Sequence, residues 1–263
     1  MNGSKEITMT YRTILVEKKT GYAVVTLHRP GEMNALSSEM RTELEGCFTA
    51  LEADPEVRVV VLTGGDYVFS AGMDLKEMSG LSDPEVRDYF LSINRYLKKI
   101  YFCRKPVIAA VGGIALGGGF NLATVCDVII ASESAIFGHP ELRFGINPLF
   151  GPLREVVGTS KAKELTMLGE PIGAQEALRI GLVNKVAPPE KLMADAESVA
   201  RELASRSPEA IEAVKRISVL APGLDRSSAL DLEMDVEALL FSRKERKENM
   251  AEFMQTLKNR KKQ

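Results

Sequence analysis

Five short apolar runs rich in β-branched residues set the first limit on what this chain can become: Thr13–Val16, Ala23–Leu27, Val57–Leu62, Val107–Val111 and Val128–Ala131. Each is bounded by Gly, Pro, Asp or Lys and reads as a strand. Their apolarity is continuous rather than alternating, so both faces of these strands must be covered. Helical patterns lie between them. Met40, Leu44, Phe48 and Leu51 recur at helical spacing behind Ser37 and Ser38, which are good N-cap residues. The stretch Val86–Phe102 repeats that period with Phe90, Ile93 and Leu97. Strands alternating with helices predict an α/β fold.

The pattern changes after about Val186. From Pro188 onward the chain reads as helix, over Glu190–Ser205, Pro208–Leu220, Ser227–Ser242 and Arg243–Asn259. Breaks fall at Ser207-Pro208 and Pro222-Gly223. This tail is expected to form a separate helical layer or an oligomerisation arm. Its closing basic residues alternate with Glu245, Glu248 and Glu252, and most of them read as a solvated helix face.

A chain of 263 residues holds one large domain, or a domain with a small appendage. The net charge of −2 provides no global field to recruit nucleic acid or an anionic membrane. No apolar run approaches the roughly 20 residues of a membrane helix. The opening MNGSKEITMTYR has no signal core, so the cytoplasm is the expected location. Cys47, Cys103 and Cys126 lack CxxC spacing and sit among apolar neighbours, which predicts buried thiols rather than disulfides or a zinc site.

Two segments carry more than a structural sequence needs. In Val68–Leu75, small residues followed by Gly72 let the backbone turn tightly and approach a ligand. In Gly112–Leu122, five glycines fall within eight residues, directly after a strand and at the opening of a helix. Such a helix start offers free N–H groups and the positive end of a dipole, suited to a phosphate or to an oxyanion growing on a carbonyl. A P-loop would need Lys-Ser/Thr after Gly119, where Phe120-Asn121 stands. The spacing from Gly113 to Gly117 does not fit the dinucleotide fingerprint, and no G-x-S-x-G elbow exists. A carbonyl oxyanion held without a nucleophilic serine is left.

With these segments in place the chain resembles the crotonase superfamily (enoyl-CoA hydratase/isomerase) over essentially its whole length. The resemblance rests on His28-Arg29-Pro30 with Asn34-Ala35-Leu36, on Phe69–Leu75, on Gly113–Gly119 and on Cys126-Asp127. It continues through Phe137–Glu141, Ala174–Ala177 with Gly181-Leu182-Val183, and the terminal Glu248–Phe253. It implies a spiral of stacked β-β-α units over residues 1–203 and a helical oligomerisation region over 204–263, in a homotrimer or homohexamer. The implied substrate is an acyl-CoA thioester, with no metal and no cofactor, coenzyme A being part of the substrate.

By the same resemblance the backbone N–H groups of Met73 and Gly118 form an oxyanion hole, and Glu141 matches the glutamate of the Phe-Gly-x-Pro-Glu segment. Hydratases of the superfamily grip a water between two glutamates; where the other belongs, this chain has Asn121, which cannot take a proton. The Glu141 carboxylate lies in a run with Leu142, Phe144, Ile146, Leu149 and Phe150, and apolar surroundings make a carboxylate a better proton shuttle near neutrality. A lone glutamate suits a double-bond shift, so isomerisation is preferred over hydration. A hydrolase or lyase of the superfamily, or a CoA-thioester-binding homologue without catalysis, is the alternative. The feruloyl-CoA type would need a tyrosine beyond Tyr101, and the dehalogenase type an aspartate within Ile146–Phe150; neither is present. Ala35, Leu36, Ala71 and Gly72 are expected along the CoA path, with Phe253 and Lys258 near the nucleotide. His28 and His139 read as structural, and Asp74 as the fixture of its own loop.

Overall fold

A computed structural model describes residues 11–243 together with 246, 250, 254 and 255. Phe253, Lys258, the terminal Glu248–Phe253 motif for the most part, and nearly all of the helix expected over Arg243–Asn259 lie outside the described residues.

Strands β1 (Ile14–Lys19) and β2 (Gly21–Leu27) pair antiparallel. Helix α1 (Ser38–Ala53) follows, capped by the Ser37 hydroxyl, which accepts from the Met40 N–H. It buries Met40, Leu44, Phe48 and Leu51, the stripe its spacing predicts. Three similar turns then wind up the chain. The first is β3 (Val57–Thr63), β4 (Val68–Ser70), a short α2 (Leu75–Ser79) and α3 (Asp83–Tyr101). The second is β5 (Val107–Val111), β6 (Ile114–Leu116) and α4 (Gly118–Thr124). The third is β7 (Val128–Ser132), β8 (Ile136–Gly138) and α5 (Gly151–Leu168). Then come β9 (Ile172–Gly173), α6 (Ala174–Arg179), β10 (Lys185–Ala187), α7 (Leu192–Ala204), α8 (Pro208–Leu220) and α9 (Arg226–Phe241).

The first strand of each turn joins a six-stranded sheet of order β1-β2-β3-β5-β7-β10, and the second joins a four-stranded sheet of order β4-β6-β8-β9. Within each sheet the strands of successive turns pair in parallel. This is the expected spiral of β-β-α units.

Continuous apolarity has the predicted consequence for the large sheet. Leu62, Ala109, Val111 and Ala131 point into one core cluster, while Val61, Ile108, Ala110 and Ile130 point into another. The second cluster is closed by Leu192, Ala196, Ala200 and Ala204 of α7, whose small side chains at four-residue spacing let the helix lie close on the sheet. So α7 covers the sheet even though it falls after the compositional shift at Pro188. The chain divides into two compact units, one ending at Ser205 and the other starting at Arg206. In the second unit α8 and α9 flank a turn at Ala221–Gly223, and α9 has no buried residue of its own.

One helix is rotated relative to its sequence reading. The buried residues of α3 are Tyr89, Tyr96, Leu97 and Ile100, whereas Phe90 is 44% exposed. Of Phe90, Ile93 and Leu97, which mark its period, only Leu97 is buried, and all three line the pocket described next. All three cysteines are buried thiols outside any disulfide.

Candidate active site

The loop between β4 and α2 is tied down before it reaches the pocket. Arg29, just past β2, donates from Nη1 to the Ala35 carbonyl at 2.7 Å and to Asp74 Oδ2 at 2.9 Å. Asn34, buried and in the left-handed region at φ 52°, donates to the Gly64 and Val68 carbonyls and accepts from the Arg29 N–H. The Ser70 hydroxyl donates to the Asn34 carbonyl at 2.8 Å and accepts from the Gly72 N–H. Asp74 caps α2 by accepting from the Lys76 and Glu77 amides. Its burial pushes the carboxyl up, but the Arg29 guanidinium and the cap amides outweigh that and hold it below the usual carboxylate range. Asp74 therefore does what the sequence suggested: it fixes its own loop.

The glycines account for how closely the second segment approaches this loop. A Cβ on Gly119 would stand 2.2 Å from the Ser70 carbonyl oxygen, and one on Gly113 would stand 1.8 Å from that of Tyr67. Neither position has room for any side chain. Gly72, at φ 106°, and Gly117, at φ 50°, adopt backbone conformations that L side chains rarely reach. A Cβ on Gly72 would also lie 3.2 Å from the Gly118 amide nitrogen, so the two backbone segments touch. Gly118 opens α4, where no carbonyl one turn back within the helix accepts its N–H. On the other side, Met73 forms a parallel bridge with Leu36, whose N–H donates to the Gly72 carbonyl at 2.8 Å.

Met73, Gly118, Asn121 and Glu141 meet at one pocket of about 380 Å³. Ala71 and Gly72 line it as well. Leu36 is fully buried and supports the loop from beneath, with Ala35 beside it; neither lines the pocket. The apolar wall comes from Leu75 and Met78 of α2, from Phe90 and Ile93 of α3, and from Phe144 and Leu149. Tyr96 belongs to this wall as well; its hydroxyl is buried without a hydrogen-bond partner among the described residues, and burial pushes its pKa up. Neither Tyr96 nor the Phe90–Ile93 wall was singled out as pocket-lining by the sequence.

Glu141 lies in a 3-10 turn, Pro140–Phe144, with Pro140 at its first position. Its carboxylate rests against Gly117, where a Cβ would come within 3.3 Å of Oε1. His139 also stands against it, with Nδ1 3.3 Å from both carboxylate oxygens. Two residues apart in sequence, this pair was read as one candidate and one structural histidine. His28 is exposed and takes no part in the pocket. Among the described residues no group of His, Cys, Asp or Glu side chains is arranged to hold a metal ion, and no helix is long and apolar enough to cross a membrane.

Comparison with known proteins gives this geometry its place. The family model for enoyl-CoA hydratase/isomerase matches residues 17–263. The chain is 39% identical over 254 residues to a short-chain-enoyl-CoA hydratase of Clostridium acetobutylicum, covering 95% of this chain and 97% of that protein. It is equally close, at 39% over 254 residues, to a crotonyl-CoA hydratase of Syntrophomonas wolfei, covering 95% of this chain and 98% of the relative. The crystal structure of an enoyl-CoA hydratase from Bacillus anthracis superposes with a TM-score of 0.90 at 34% identity, covering 93% of this chain and 97% of that one. With the spiral fold, the glycine-lined pocket and these relatives together, the chain belongs to the enoyl-CoA hydratase/isomerase family and is an enzyme of that kind.

Proposed function

We propose that the pocket binds an acyl-CoA thioester with its carbonyl oxygen against the Met73 and Gly118 N–H groups, and that Glu141 moves the protons. The observation that carries this is the meeting of the Gly72-Met73 backbone, the first amide of α4 and one carboxylate around a single cavity. Backbone donors suit an oxyanion because they are rigid and stay neutral while charge grows on the oxygen. The Met73 side chain packs over Gly118, where a Cβ would meet its Sδ at 2.9 Å, so it fills space beside the amide without taking part in the chemistry.

A double-bond shift needs only these parts. On a 3-enoyl thioester the Glu141 carboxylate removes a proton from C2, and the electron pair spreads through the conjugated system onto the thioester oxygen. The two N–H groups hold that charge. Glu141 then returns the proton to C4, leaving a 2-enoyl thioester and the carboxylate as it began. No atom is gained or lost. Asn121 lines the same pocket and can bond a water or a substrate oxygen, but it cannot share the proton work. On that ground isomerisation is the preferred activity. The hydratase names of the relatives that are 39% identical favour hydration as the second reading. In that reading Glu141 takes a proton from water as the oxygen attacks C3, and delivers it to C2.

A panel of 2-enoyl, 3-enoyl and saturated acyl-CoAs, followed by mass spectrometry, separates the two. Conversion of the 3-enoyl thioester without mass change supports isomerisation, and a gain of one water on crotonyl-CoA supports hydration. If hydration is limited by the absent second carboxylate, Asn121→Glu raises it. Efficient wild-type hydration that survives in both Glu141→Gln and Asn121→Ala overturns the single-glutamate mechanism. For assembly, we infer a trimer or a dimer of trimers through the C-terminal helices, because α9 leaves Leu230, Met234 and Leu239 exposed. A monomer by light scattering at micromolar concentration would sink that reading.

A further inference from the structure

We propose that His139 is a positioning residue for Glu141, donating from a neutral Nδ1–H to the carboxylate so that its reactive oxygen is held toward the bound acyl chain. This rests on the reading of Glu141 as the proton shuttle.

Four observations support it. The His139 ring is 1% exposed, and Nδ1 lies 3.3 Å from both Oε1 and Oε2 of Glu141. The ring is itself fixed, because Phe120 of α4 stacks on it at 4.6 Å between centroids and 31° between planes. The carboxylate also rests close to the bare Cα of Gly117. Finally, Nε2 is buried without a hydrogen-bond partner among the described residues. That last point selects the tautomer. A protonated Nε2 would bury an unpaired N–H, and a doubly protonated ring would bury an unpaired charged donor, the costlier arrangements. With the proton on Nδ1 the orphan is only a lone pair, and the carboxylate gains a donor.

The Glu141 side chain is 17% exposed, and among the described residues no hydrogen bond other than this one holds its carboxylate, so His139 is the polar restraint on its rotamer. A residue that must take a proton at one carbon and return it at another loses rate if it samples other rotamers. His139 touches no pocket space itself; it acts through Glu141.

The test uses two substitutions of nearly the same shape. His139→Asn keeps a donor close to the Nδ1 position, whereas His139→Leu removes it, and both lose the stacking on Phe120. With the best thioester of the panel, His139→Leu is expected to lower kcat about tenfold, the scale of a lost hydrogen bond to a charged group, with KM within twofold of wild type. His139→Asn is expected to recover most of that loss. Equal impairment of both variants means the ring is merely structural and overturns the proposal, as does a wild-type kcat in His139→Leu. Should His139→Leu not fold, His139→Phe keeps the stacked ring without the donor and is read the same way. Glu141→Gln, measured in parallel, separates the two levels. If it retains wild-type turnover, the shuttle reading itself falls; if it is inactive while His139→Leu is unimpaired, only the positioning role falls.

Discussion

The pocket is built from two different materials. One half is main chain: Ser70, Gly72, Gly118 and Gly119 are buried, and contacts that leave no room for a Cβ press their segments together. The other half is side chain: Glu141 on a single 3-10 turn, with Phe144 and Leu149 of the wall both substantially exposed. The first half cannot adjust without moving strands; the second can repack. On the proposed reading this division follows the chemistry. The developing charge appears at the same oxygen in every substrate, so its donors can be fixed, while acyl chains differ and need a wall that yields.

Substitutions should therefore part cleanly into losses of rate and losses of fold. The largest expected effect is on rate. Glu141→Gln should lower kcat by the roughly 10²–10⁴-fold that general acid–base catalysis supplies, while the urea midpoint stays where it was. A parallel fall in stability would show that the side-chain half is structural too. Next comes Gly119→Ala, whose added methyl meets the Ser70 carbonyl at 2.2 Å and forces backbone apart. It should cost about 3 kcal/mol of stability by denaturant titration. A change below about 1 kcal/mol would mean that the main-chain half is softer than its contacts indicate.

The same division explains what could be read from the sequence. Strands such as Val107–Val111 announce themselves because every residue is apolar and buried. Strands β4, β6 and β8 have three residues each and lie next to or within glycine-rich segments, so their composition is that of loops. The glycine cluster signalled close approach, but not which backbone is approached; Gly113 meets Tyr67, some 46 residues away along the chain (113 − 67). The periodicity of α3 was correct, yet a pocket wall and a core both demand apolar residues, so pattern alone could not divide Phe90 and Ile93 from Tyr89 and Ile100. The contact of His139 with Glu141 depends on the tight turn at Pro140, which a sequence read for helix and strand periods does not resolve.

A smaller effect tests how the main-chain half is anchored. Asp74 holds Arg29 and caps α2, and its carboxyl sits below the usual range for an aspartate. A depressed carboxyl stabilises the fold above its unfolded value, near 4, and loses that contribution as pH falls through the lower folded value. Asp74→Asn should then cost about 1 kcal/mol at neutral pH, and the gap to wild type should close as the solution is acidified below about pH 4. Urea titrations at several pH values read this directly. A gap that stays constant with pH would assign the cost to cap geometry instead of charge.

The smallest effect belongs to the yielding wall. Phe144 lines the pocket yet is 59% exposed, so its ring contributes little to the folded state of this chain. Phe144→Ala should therefore change stability by less than about 0.5 kcal/mol. A bound acyl chain would cover part of the ring, and covering a fraction of a phenyl side chain is worth on the order of 1 kcal/mol or less. That corresponds to a rise in KM of about threefold for thioesters long enough to reach it, with kcat unchanged because the ring is not among the proton-moving or charge-holding groups. Crotonyl-CoA, with its short chain, should feel the change less than longer thioesters. A fall in kcat at constant KM would place Phe144 with Glu141 in the proton-transfer geometry, and the wall could then no longer be described as free to yield.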